Sequence, residues 1–268
     1  MPKPTIPRTP IQKFTKAELD IADLCARALW HGISFETGNK VTSDAWLLDA
    51  FATPFYQISS TTSKVNISDI DVHALVVACV LYATFRDTNK THYNAGINCI
   101  SSNIYPIYTN YLNKIGYMNV EQYGALAVKE LSNALAMQPA NHNKPHPHRT
   151  VLSSRIMFFL VPTMPCFNMN NSVALIYGLQ SRPFAYRDEY CTLMYNGLQA
   201  NSSLLNQYTL PQCTDELASE TWAKVNASDW WQRRILDIAI LIQNNLANPI
   251  PNLNALLTSY LNSRSTKN

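Results

Sequence analysis

Apolar residues recur along the chain at intervals of three and four with little strict alternation, a spacing that predicts helices throughout and no strands. Thr15-Lys-Ala-Glu18 has the form of a capping box and opens a helix that Gly32 closes. Thr42 and Ser43 start a second, which Pro54 is expected to stop. Asn119-Val-Glu-Gln122 opens another that runs to Pro139. Ser68, with Asp69 and Asp71, caps the run IDVHALVVACVLYATFRD, and Ser228-Asp229 caps WWQRRILDIAILIQNNL. Both runs are apolar on nearly every side, which places both at the centre of a bundle. Further helices are expected near residues 96–115, 150–160, 171–179, 186–202, 214–225 and 251–262, bringing the total to about eleven. The fold class expected is therefore all-α, a multi-helix bundle.

Residues 138–149, QPANHNKPHPHR, interrupt this pattern with prolines, histidines and cations. The resulting partition is a basic, Pro-rich arm (1–14), an N-terminal helical lobe (15–138), a linker loop (139–149) and a C-terminal helical lobe (150–268), with a cleft expected between the lobes. No internal repeat is visible.

With 268 residues the chain can bury a large core without staples. Its six cysteines are widely separated and form no C-x-x-C pair, the pattern of small buried hydrophobes in a reducing compartment. The first residues, MPKPTIPRTPIQKF, lack the apolar core of a secretory signal, and no apolar run approaches the length that crosses a bilayer. A cytoplasmic protein with no membrane segment is expected. A net charge of +3 with 15% charged residues permits a nucleic-acid partner without requiring one.

Phosphate-binding glycine loops, dinucleotide fingerprints, H-E-x-x-H and G-x-S-x-G are all absent, so the chemistries they serve are not expected. His142, His146 and His148 crowd beside Lys144 and Arg149, but a Pro-rich loop without nearby carboxylates lacks the fixed donors and supporting bonds of a metal site. Neither metal nor cofactor is expected. Lys144, His146, His148 and Arg149 read better as cations that touch a phosphate backbone.

The stretch HRTVLSSRIMFFLVPTMPCFNMNNSVALIYG has a basic loop, a Ser-Arg-led apolar helix, a turn bounded by Pro162 and Pro165, an apolar pair before Asn168, and a second short helix. It resembles the segment of helix-hairpin-helix DNA glycosylases, and of the 8-oxoguanine glycosylase-like proteins related to them, in which a lysine-bearing helix is followed by P-[IV]-x-D and the next helix. The resemblance covers residues 149–178. It implies DNA as partner and hydrolysis of the N-glycosidic bond of a modified or damaged base, flipped out of the strand, in repair or in defence against foreign DNA.

Two departures refine that expectation. The lysine position is Arg155, whose guanidinium stays protonated and cannot form a Schiff base, so the enzyme would be monofunctional. The aspartate position is Asn168, which can orient water or base but cannot stabilise a cationic sugar. The nearest carboxylates are Asp188 and Glu189, at a helix start that keeps acids ionised; either can enter a pocket around Asn168, and Asp188 is the first choice for the missing anion. The glycine-rich hairpin of the family is replaced by HPHRTV. Tyr177, Phe184 and Tyr186 are the expected stacking faces for the base, with Tyr190 near them, and Arg182 and Arg187 join the linker cations on the phosphates.

Two other readings stand beside this one. Arg86 and His92, separated by five residues, resemble the R-x(4 to 6)-H signature of HEPN ribonucleases, which implies RNA cleavage by a dimer. The third is a non-catalytic helical nucleic-acid-binding protein. The oligomeric state stays open.

Overall fold

The computed structural model describes residues 9–59, 120–136, 150–179, 186–212 and 217–265, with five single helical positions between 103 and 113. The expected helix after Ser68 and the loop 139–149 lie outside the described residues. Ten helices and no strand are found among the described residues, with one isolated antiparallel bridge, Ile33 to Lys40. The protein is all-α.

Helix α1 (Lys16–Trp30) begins on the capping box read from the sequence: Thr15 Oγ1 accepts from Glu18 N–H at 3.3 Å, and Thr15 N–H donates to Glu18 Oε2 at 2.7 Å. It ends before Gly32, whose φ of 75° suits glycine and where a Cβ would lie 2.8 Å from Val41 O. Helix α2 (Asp44–Ser59) starts behind Ser43, whose hydroxyl accepts from Trp46 N–H at 3.0 Å. It does not stop at Pro54. Proline forfeits one backbone bond, and the buried Phe51, Ala52, Phe55 and Tyr56 on either side outweigh that loss by packing.

The remaining helices are α3 (Val120–Ala136), α4 (Thr150–Leu160), α5 (Asn171–Ile176), α6 (Tyr186–Ala200), α7 (Ser202–Leu205), α8 (Ser219–Asn226), α9 (Trp230–Gln243) and α10 (Leu253–Ser265). Helix α1 packs along α9 and touches α10, α3 packs on α4 and α6, and α2 packs on α4 and α8. Helices from both sides of the 139–149 loop thus feed one buried cluster. At the α1–α9 seam, Trp30 meets Trp230 and Trp231 with ring centroids 6.3 and 5.9 Å apart, both edge-on. Ten of the eleven residues 230–240 of α9 are buried, all but Gln232, as its apolar run predicts.

Ahead of α1, residues 9–15 form a strap across α6 and α7. Ile11 and Phe14 are buried, and Asn201 accepts from Phe14 N–H at 2.7 Å while its amide donates to Gln12 O at 3.4 Å and Gly197 O at 2.8 Å. Gly197 makes the notch that admits Ile11: a Cβ there would come within 2.7 Å of Ile11 Cδ1.

Candidate functional site

The segment joining α4 to α5, residues 161–170, is the bend that the sequence marks with Pro162 and Pro165. Helices on several sides hold it. From α9, the fully buried Arg233 donates to Pro162 O at 2.6 Å and to Cys166 O, while Asp229 pairs with its Nε at 2.8 Å and Phe158 lies 5.6 Å from its guanidinium carbon. From α6, Tyr190 donates its hydroxyl to Asn168 O at 3.2 Å and accepts from Asn170 N–H at 3.3 Å. From α4 itself, Ser154 Oγ accepts from Met169 N–H at 3.0 Å. Gly124 of α3 lies so close that a Cβ would fall 2.0 Å from Pro165 O. The bend is consequently packed into the core, with Met164 and Cys166 wholly buried, and does not form an open floor. Burial pushes the Cys166 thiol up to about 12, so it is a neutral core side chain.

At the far end of the bend a polar cluster is enclosed. Asn168, 8% exposed, donates from Nδ2 to Asp237 Oδ2 at 3.3 Å, and its Oδ1 has no hydrogen-bond partner among the described residues. Asp237 of α9 is 4% exposed. One turn back, Arg234 places Nη1 3.7 Å from Asp237 Oδ2 and grips Asp44 of α2 at two points, Nε to Oδ2 at 2.8 Å and Nη2 to Oδ1 at 3.1 Å. Burial raises the Asp237 carboxyl above the ordinary aspartate range; the charges of Arg234 and Arg155 and the Asn168 amide oppose that rise, and the charge of Asp44 adds to it. Asp44 is raised by burial and drawn back by Arg234.

The structure therefore brings together two of the three residues the sequence put at the reacting centre, Asn168 and the half-buried Arg155, around an acid the sequence reading passed over. Asp188, Arg187 and Tyr186 lie in the first turn of α6, as expected from the sequence, but their side chains are outside the described residues. Tyr177 is 5% exposed, follows α5 as its C-cap and accepts from Asn244 Nδ2 at 3.5 Å, so it packs in the core and offers no open stacking face. Trp230 and Trp231 are likewise interior: Trp230 Nε1 donates to Phe158 O at 2.9 Å and Trp231 Nε1 to Asp23 Oδ1 at 3.1 Å. Lys144, His146, His148, Arg149, Arg182, Phe184, Arg86 and His92 lie outside the described residues.

A signal for Asp237 was present. It is the one acid inside LDIAILI, and a carboxylate on an all-round apolar helix needs a partner to be tolerated. What the sequence did not carry was the hydrogen-bond partner, since Asn168 lies 69 residues from Asp237. Elsewhere, a cleft of about 380 Å³ opens between the strap and α6, lined by Thr9, Pro10 and Ile11 on one side and Glu189, Thr192 and Asn196 on the other. Among the described residues no three His, Cys, Asp or Glu side chains stand together as a metal site, and no helix is long and apolar enough to cross a membrane. Set against protein-family models, curated proteins and solved structures, the chain finds no match in any of the three.

Proposed function

We propose that the protein is a DNA-binding hydrolase similar to helix-hairpin-helix glycosylases, which releases a modified or damaged base by cleaving its N-glycosidic bond. One observation carries the reading. Asn168, standing where the family has its aspartate, is hydrogen-bonded to Asp237, so in this reading the negative charge lost from the one position is supplied from α9.

The chemistry needs such a charge. As the bond from sugar to base lengthens, the bonding pair leaves with the base and the sugar becomes oxocarbenium-like; an anion near the anomeric carbon stabilises it, and water then adds and loses a proton. In this reading Asp237 is that anion, Asn168 aligns it through Nδ2, and Asn168 Oδ1 accepts from the water or the base. Arg155 cannot attack the sugar, so the strand stays intact until alkali breaks it. The cations Lys144, His146, His148, Arg149, Arg182 and Arg187 hold the phosphates, with Phe184 and Tyr186 against the base. Asp188 is the alternative acid.

Purified protein is incubated with duplex and single-stranded DNA carrying natural, oxidised, alkylated or deaminated bases, then treated with hot alkali. Breaks at one kind of base are expected, with Asp237→Asn lowering release by about a hundredfold or more while DNA binding is retained. Loss of release in Asp188→Ala with Asp237→Asn unaffected moves the anion to Asp188. Direct cleavage of RNA in the same assay assigns the activity to Arg86 and His92 instead.

The depth of the cluster favours a second reading. With Asp237 4% and Asn168 8% exposed, the same groups can serve only to fasten α2, the bend and α9 in a protein that binds nucleic acid without chemistry. Binding with no break in any substrate selects that reading.

A further inference from the structure

Arg234 faces two buried carboxylates and treats them differently. It offers the Nε and Nη2 edge of its fork to Asp44 at 2.8 and 3.1 Å, a two-point grip of the strongest kind, and leaves Nη1 3.7 Å from Asp237, beyond hydrogen-bond distance. Asp237 Oδ2 is instead bonded to an amide, Asn168 Nδ2, at 3.3 Å. An arginine next to a buried acid normally closes on it, and in this protein a second acid, reaching in from another helix, prevents that.

We infer that Asp44 is a positioning residue: by anchoring Arg234 on α2 it keeps that guanidinium off Asp237 and leaves the Asp237 carboxyl to Asn168. Among the described residues, the charged groups that face Asp237 are Arg234 from its own helix, Asp44 from α2 and Arg155 from α4. Helix α6 contributes the neutral Tyr190 hydroxyl, through Asn168 O, and the charges of α1 nearest to α9, Asp23 and Arg27, lie against Trp231 instead. Without Asp44, the buried acid that remains beside Arg234 among the described residues is Asp237, and a side-chain rotation brings the guanidinium fork onto it. Two effects then act in one direction on Asp237: a like charge is lost and a cation closes in. Asp237 is left ionised but neutralised as a source of field, the wrong state for an anion meant to face a developing cation.

The dependence of this inference on the glycosylase reading is confined to its activity arm. Carboxyl-carbon NMR of ¹³C-labelled aspartate, with Asp237 assigned by its loss in Asp237→Asn, follows the Asp237 midpoint whether or not the protein has an activity. Asp44→Asn is expected to lower that midpoint by about one pH unit or more, and to slow base release by about tenfold or more. Asp44→Asn/Arg234→Gln removes both charges as a neutral pair of similar shape, which buried sites tolerate better than one unpaired charge. There the midpoint returns to within about half a unit of the wild-type value, and release recovers to within about threefold.

An Asp44 that served only to tie α2 to α9 would make the double variant no faster than the single one in base release, and would hold the Asp237 midpoint of Asp44→Asn within about half a unit of wild type, the effect of one lost charge with no cation closing in; either result overturns the inference. Should Asp44→Asn fail to fold, the double variant decides alone. A midpoint close to wild type supports the assignment, because the two removed charges act on Asp237 in opposite directions and an anchored Arg234 exerts no more than Asp44 offsets. A rise of about one unit or more shows that Arg234 was serving Asp237 all along and overturns it. Wild-type protein that releases no base, but whose midpoints move as stated, sinks the glycosylase reading and keeps the role of Asp44.

Discussion

The bend at residues 161–170 and the strap at residues 9–15 are both irregular segments laid across helices, and they are held by opposite means. The bend is fixed by buried charge: a guanidinium with no exposed surface binds two of its carbonyls, and Asn168 belongs to a cluster of two acids and two arginines. The strap is fixed by neutral contacts, the Asn201 amide and Ile11 in the Gly197 notch, beside an open cleft. Removing one partner from a buried charge strands the other at high cost, whereas a neutral amide bond or a methyl contact contributes about 1 kcal/mol. The bend is thus built to keep one geometry, and the strap is expected to release at lower cost.

The most damaging way to break that contrast is Arg233→Met. It leaves Pro162 O and Cys166 O buried without donors, and a loss of about 3 kcal/mol or more is expected in denaturant unfolding. A cost below about 1 kcal/mol would mean that packing alone holds the bend. Gly124→Ala comes next, because the added Cβ would meet the Pro165 carbonyl, which is backbone and cannot rotate aside. About 1–3 kcal/mol is expected, together with changed NMR shifts at Asn168.

A pH series probes the cluster directly. A carboxyl whose folded value is raised stabilises the fold fully below the ordinary aspartate value of 3.8, and that contribution fades as pH rises through the folded value. The wild-type protein is expected to lose stability over that interval by about 1.4 kcal/mol for each unit of displacement. In Asp237→Asn that part of the slope should vanish; an unchanged slope would place the titration in Asp44 or elsewhere.

The mildest change is Gly197→Ala on the strap. Crowding of Ile11 should cost about 1 kcal/mol. Limited proteolysis should cut near residues 9–14 sooner than in the wild type, while the Asp237 titration stays where it was. A shift of that titration would show that strap and bend are mechanically joined.

How much of this was legible beforehand differs between local and distant physics. Caps and periodicity are written in neighbouring residues, so the start of α1 at Thr15 and Glu18, the span 150–160 and the buried run after Asp229 could be read directly. Pro54 misled because a local rule against proline in helices was overridden by the apolar residues packed around it. The candidate site was half visible. Arg155 and Asn168 stand thirteen residues apart on one motif, whereas Asp44, Arg234 and Asp237 are assembled by tertiary packing of α2 on its neighbours and α9 on the bend. Tyr177 shows the converse: beside a promising motif an aromatic reads locally as a stacking face, and tertiary packing makes it a core side chain tied to Asn244.

The tryptophan cluster at the α1–α9 seam has a use of its own. Three of the five tryptophans crowd together there, and one of them donates to the carbonyl of Phe158, just ahead of the bend. Their emission and their coupled near-ultraviolet dichroism make a built-in optical gauge, placed where α4 meets α9, by which any disturbance of the bend can be followed without attaching a dye.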